Sequence, residues 1–185
     1  MKSLLVLLFA LIAFPVSEKS LTYDFGNSGD KTRDWVLLSD NVMGGVTRSN
    51  IEYKTNSVVL SGDISLDNFG GFASIKTTFS ELDLSSFSGV KIRFKSENQQ
   101  FAFTLEDSRN WTRPNYKNDF ASKKPGTWET AVIYFKDFKE YLIGEPTGNK
   151  LNPGKLKNIV RLGIITTEKK EGPFSLEVDY IEFIH

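Results

Sequence analysis

Along most of this chain apolar and polar residues alternate one by one, in short runs bounded by Gly, Asn, Asp and Ser. Val90, Ile92 and Phe94 alternate with Lys91, Arg93 and Lys95, and Phe101, Phe103 and Leu105 resume the same period after a turn at Glu97-Asn98-Gln99. A period of two places one set of side chains on a buried face and the other in water, which predicts strands. Leu21 to Phe25 is a first strand, and Val46 to Tyr53 with Ser57 to Ile64 predicts a hairpin across Lys54-Thr55-Asn56. Phe72 to Phe79 follows. Trp128 to Phe135 and Val160 to Thr166 predict more fully buried strands, and Phe174 to Ile184 closes the chain. No window keeps a helical period, and the best candidate for a turn of helix is Pro153 to Ile159. Fifteen phenylalanines, many at alternating positions, suit a thick core between two sheets. The fold class these elements predict is all-β, a jelly-roll β-sandwich, with a closed barrel as the rival.

Two long connections interrupt the rhythm. Ser108 to Lys117 mixes aromatic and cationic residues in a polar loop, and Lys136 to Asn158 carries two Gly- and Pro-containing turns. Loops of this length in a compact sandwich are more often functional than idle. Two glycine pairs, Gly44-Gly45 and Gly70-Gly71, each lead straight into an alternating run, where a side chain would block the backbone or φ must turn positive. The two pairs are expected to lie close together in space, with Asp40, Asn41 and Asn68 as the polar neighbours where a ligand contact would fall.

The first residues belong to a different pattern. After Met1-Lys2-Ser3 comes an apolar run from Leu4 to Val16 and then the polar Ser17-Glu18-Lys19. A basic start, a short apolar core and a polar exit describe a secretory signal peptide over residues 1–19, with residues 20–185 as one domain and a secreted or periplasmic destination. The run falls short of the roughly 20 residues that span a bilayer, so no stable membrane span is expected once the leader is removed. Without cysteine there are no disulfides and no thiolate metal site. Basic and acidic residues balance at 23 each, which gives no pull toward nucleic acid.

With the elements placed, a family pattern emerges. Asp40-Asn41-Val42-Met43-Gly44-Gly45-Val46-Thr47, then Gly70-Gly71-Phe72-Ala73-Ser74, then Gly126-Thr127-Trp128 leading to Ile133-Tyr134-Phe135 resembles the complex I intermediate-associated protein family, the 30-kilodalton class. Gly172-Pro173-Phe174-Ser175-Leu176-Glu177-Val178-Asp179-Tyr180-Ile181 continues the resemblance to the end. It implies a galactose-binding-like jelly roll, and for mitochondrial members a chaperone-like part in assembling a respiratory complex. Two departures fall on Lys76, where arginine is usual, and on Tyr134 and Lys136 around Phe135, where proline usually precedes the phenylalanine. Trp35, Met43, Gly44, Gly45, Gly70, Gly71, Phe72 and Trp128 form the structural part of the motif, with Trp128 expected in the core.

The chemistry is sparse. The only histidine is the final residue, His185, which leaves a Ser-His-Asp system and a histidine zinc site without support. Glu177-Val178-Asp179-Tyr180-Ile181-Glu182 matches the E-x-D-x-x-E spacing of some retaining glucanases, but a regular strand sends Glu177 and Glu182 to opposite faces unless a bulge intervenes. Trp111, Arg113, Asn115 and Tyr116 combine flat rings with hydrogen-bonding groups in one loop, the mixture a sugar surface uses. Asp24, Asn27 and Asp30 offer calcium-type oxygens in a spacing that matches no established loop, so neither metal nor cofactor is assigned. The expected function is non-catalytic binding of a glycan or a protein partner through end loops. The alternatives are a chaperone-like assembly factor for a membrane complex and a retaining glycoside hydrolase.

Overall fold

The computed structural model describes residues 20–26 and 34–185. The leader segment, Asn27 and Asp30 lie outside the described residues. Two antiparallel sheets pack face to face. The first runs β3 (Arg48–Tyr53), β4 (Val58–Ile64), β13 (Gly172–Ile184), β6 (Gly89–Glu97) and β9 (Glu129–Tyr134), and β1 (Thr22–Asp24) pairs with the far half of β13 beyond the end of β4. The second runs β11 (Glu145–Lys150), β10 (Lys139–Leu142), β8 (Asn115–Phe120), β7 (Phe101–Glu106), β12 (Arg161–Thr166), β5 (Ala73–Lys76) and β2 (Val36–Ser39). The all-β jelly-roll sandwich is the observed fold.

Alternation explains which side chains fill it. Val90, Ile92 and Phe94 of β6 meet Leu176, Val178, Ile181 and Phe183 of β13 on the inner face of one sheet. Phe101, Phe103 and Leu105 of β7 with Leu162 and Ile164 of β12 supply the other. Each such side chain taken fully out of water contributes about 1.5–3 kcal/mol. The inner set on β13 skips from Val178 to Ile181 because a bulge shifts the register against β6 between Val178 and Tyr180.

Four strands depart from the expected elements. β2 was hidden in the glycine-pair stretch, β8 takes over the end of the Ser108–Lys117 loop, and β10 and β11 form a hairpin inside the Lys136–Asn158 connection. Their pairing partners, rather than their own pattern, make them strands: every residue of β11 is exposed, and β8 buries only Tyr116 and Phe120. Pro153–Asn158 is a 3-10 turn, with Asn152 capping it by accepting from the Gly154 N–H at 2.9 Å. Val132 and Tyr134 of β9 are exposed, so this strand is buried on one face only.

Candidate functional site

The glycine pairs do meet, around a carboxylate. Asp40 begins a 3-10 turn over Asp40–Met43, and its buried side chain accepts from Thr47 N–H (3.1 Å), Thr47 Oγ1 (2.5 Å), Gly71 N–H (2.6 Å) and Phe72 N–H (3.3 Å). A Cβ on Gly45 would fall 2.5 Å from the Asp40 carboxylate carbon, and one on Gly70 would fall 2.7 Å from Oδ2. Glycine is required at both because the carboxylate occupies that space. Gly44 and Gly71 have φ of 90° and 119°, which re-aim the chain on either side. Asn68 donates to the Gly44 carbonyl at 3.2 Å, and the Asn41 amide, oriented by the surrounding acceptors, donates to the Gly45 and Thr47 carbonyls at 3.1 and 3.0 Å. Asp40 and Asn68 thus fasten the two loops to each other, while Asn41 braces the first loop from within. What the loops turn outward is apolar: Val42, Met43, Val46, Leu66 and a wholly exposed Phe69, which follows Asn68 in the left-handed region with φ of 60°. Trp35 is buried between Tyr23 and Phe25, with ring centroids 5.9 and 5.8 Å away, and anchors the strand feeding this tip.

Trp111 and Arg113 lie at the other end of the sandwich. Their loop leaves β7 at Glu106 and enters β8 at Asn115, whereas the glycine loops adjoin Phe101 and Thr166, about 17 Å away along β7. Trp111 is 73% exposed in a loop shaped by Asn110 Oδ1, which accepts from Thr112 N–H and Oγ1 at 3.0 and 2.8 Å. Tyr116 is 3% exposed and faces the core, opposite Leu105, because the alternation of β8 turns it inward. The one-ended binding surface expected from these residues is therefore corrected: the structure separates Trp111 and Arg113 from Asp40, Asn41 and Asn68, and takes the Tyr116 ring off the surface.

The bulge on β13 has a consequence for the acidic motif. Glu177 stands opposite Lys95 and Glu182 opposite Lys91, so both carboxylates share the outer face, contrary to the regular-strand expectation. Four residues of β6 separate those partners, about 13 Å, where a retaining pair needs about 5–5.5 Å. Glu177 accepts from Ser57 Oγ (2.7 Å), Lys95 (2.8 Å) and Lys54 (3.4 Å). Burial alone would raise its pKa, but Lys95 and Ser57 outweigh it and hold the carboxyl below its ordinary value, the reverse of what a general acid requires. Glu182 pairs with Lys91.

Beside that row lies an open depression of about 660 Å³, lined by Trp128, Asp24, Asn56, Arg93, Asp179 and Glu177 among others. It forms where β4 ends and β1 takes over along β13, which leaves a notch in the outer face. Trp128 is 39% exposed, not in the core as expected. The register fixes this: Lys91 and Arg93 of β6 oppose Val132 and Thr130, so Trp128, Thr130, Val132 and Tyr134 all point outward. Arg93 and Lys95 lie 4.9 and 5.2 Å from the indole centroid, and Arg93 pairs with Asp179, so the ring is held from the β6 side. Asp24 is held by its own turn, accepting from Gly26 N–H at 2.9 Å. The result is a flat ring beside carboxylate, amide and guanidinium groups. The signal in the sequence was the shared parity of Trp128, Val132 and Tyr134, which a wholly buried reading of that run obscured.

Solved structures match this sandwich at the level of the fold. The family 11 carbohydrate-binding module of the cellulosomal cellulase Lic26A-Cel5E of Clostridium thermocellum is 19% identical over 90% of this chain and 94% of its own, with a TM-score of 0.64. The family 11 module from Clostridium thermocellum in complex with a β-1,3-1,4-mixed-linked tetrasaccharide is 19% identical over 82% of this chain and 89% of its own, with a TM-score of 0.57. The agarase AgWH50C matches over 88% of this chain and only 24% of its own, at 10% identity and a TM-score of 0.53. No curated protein sequence matches. Residues 23–178 match the family described as Complex I intermediate-associated protein 30 (CIA30), and the chain belongs to that family. Family and fold together fit a non-catalytic binding domain.

Proposed function

We propose that the chain is an exported glycan-binding domain and that the Trp128 depression is its site. The observation that carries this reading is the outward Trp128 indole at the edge of a notch rimmed by Asp24, Asn56 and Arg93. A pyranose has an apolar face that stacks on an indole and a rim of hydroxyls that needs donors and acceptors beside it. Val132 and Tyr134, both exposed further along β9, extend the apolar strip for a chain of sugars. Export follows from the leader reading of residues 1–19, and amino-terminal sequencing of the processed protein tests it. For the site, affinity electrophoresis in mixed-linkage β-glucan is expected to retard the parent and Trp111→Ala alike, and to lose the retardation with Trp128→Ala. Equal retardation of Trp128→Ala, with its cooperative melting intact, would overturn the assignment.

The apolar tip formed by Val42, Met43, Leu66 and Phe69 favours a second reading, association with a protein partner. The family description names association with a complex I intermediate, and contiguous exposed apolar groups of this kind mark association surfaces. Pull-down from solubilised membranes with the parent and with Phe69→Ser tests it: recovery of respiratory subunits by the parent alone supports the reading, and equal recovery or none removes it.

A further inference from the structure

On the outer face of the seven-stranded sheet, Lys117 of β8, Lys139 of β10 and Lys150 of β11 stand directly opposite one another. Tyr116 faces the core, so Lys117 faces out, and direct cross-strand partners share a face. Three neighbouring strands span about 10 Å, so the three lysines leave the backbone within that width. None of the three lies within ion-pair distance of a carboxylate among the described residues, whereas Lys91, Arg93 and Lys95 on the opposite sheet each have one. Like charges directly opposite cost stability. Lys150 has a use on its own, since a lysine on an edge strand deters pairing with another sheet. Lys117 and Lys139 lie on interior strands, where that explanation does not reach.

The row also has an aromatic floor. The Lys117 ammonium lies 3.9 Å from the centroid of the Tyr141 ring, which is half-buried next to Lys139 on the same strand. Burial pushes the Lys117 pKa down, against the pull of Asp119 and Glu145 in the other direction, and Lys169 pushes it further down. A partly buried cation with no carboxylate in direct ion-pair contact gains from an anion brought by a ligand.

We infer that this row binds an acidic polysaccharide of the uronate class, with sugar carboxylates over Lys117, Lys139 and Lys150 and a pyranose ring against Tyr141. Strand spacing is about 4.8 Å, so the three lysine stems rise at short repeated intervals across which an extended chain of acidic sugars can lie. Asn115, opposite Tyr141, and Asp119 are placed for sugar hydroxyls. The wide spacing of the lysines disfavours a polyphosphate, since duplex DNA carries a charge about every 1.7 Å. The site extends the glycan reading to a second face and does not depend on Trp128.

Calorimetric titration of the full chain with polygalacturonate in rising sodium chloride tests it. The parent is expected to bind, with affinity falling as salt rises. Lys139→Glu combined with Lys150→Glu should weaken binding about tenfold or more, with a melting temperature no lower than the parent's, and Trp128→Ala should bind as the parent does. Absence of parent binding, unchanged affinity in the double variant, or loss in Trp128→Ala would overturn the site. Equally tight binding of single-stranded DNA or dextran sulfate of matched charge would overturn the uronate class.

Discussion

Asp40 is the most consequential single side chain in the described part of the molecule. Its buried carboxylate accepts from Thr47 in its own loop and from Gly71 and Phe72 in the other, and so ties one glycine loop to the other. Asparagine is nearly isosteric, but its amide would aim a donor at donors. Asp40→Asn is therefore expected to cost about 3 kcal/mol, which for a domain of this size lowers the melting temperature by about 10 °C. Gly45→Ala should cost a similar amount, because its Cβ cannot coexist with the carboxylate. Burial pushes the Asp40 pKa up, but the bonds from Thr47, Gly71 and Phe72 outweigh it and hold the group below its ordinary value. A carboxyl that titrates lower when folded contributes stability above the unfolded value of about 3.9 and loses it as pH falls through the folded value. Melting curves of the parent should thus drop steeply below about pH 4, and those of Asp40→Asn should drop less. Met43 and Phe72 carried the family pattern in the sequence, yet nothing there showed that an aspartate was what the glycines made room for.

At the scale of the elements, strands whose two faces differ could be read and strands held by their neighbours could not. β6 alternates cleanly because one face fills the core, and β13 keeps a core face on either side of its bulge. β11, Glu-Pro-Thr-Gly-Asn-Lys, has no buried residue and is a strand only because β10 offers it a partner. Trp128 was misjudged for a related reason: β9 is an edge strand with apolar residues on both faces, so hydrophobicity alone did not say which face was inside. Cross-strand chemistry is likewise invisible until the register is known. The lysine row is such a case, and it carries a prediction of its own: Lys139→Glu turns two like-charge pairs into opposite-charge pairs, and should raise stability by about 0.5–1 kcal/mol in denaturant unfolding. An unchanged midpoint would mean that the three ammonium groups do not feel one another.

For the whole molecule, β13 is the organising strand. It pairs with β4, β6 and β1 at once, and β1 contributes residues as early as Thr22. Removing residues 172–185 leaves three strands without their partner and exposes the inner faces of both sheets, so this truncation should show no cooperative thermal transition where the full chain shows one. Pairing of Thr22 with Glu182 also means that the longest loop in the chain has to close before the six-stranded sheet is complete, and folding is expected on the millisecond to second scale typical of sandwiches. The jelly roll itself was legible from strand spacing and phenylalanine content, while the notch at Trp128 was not, since it depends on β1 continuing the line of β4. That same junction has a practical corollary. Leu21 accepts a hydrogen bond from Phe183, so the two ends of the described fold run side by side. A short linker could join residue 20 to residue 185 and new termini could be opened at the exposed Ile143-Gly144 turn, yielding a circular permutant that keeps every strand neighbour and offers a test of whether the fold depends on the order in which its strands are made.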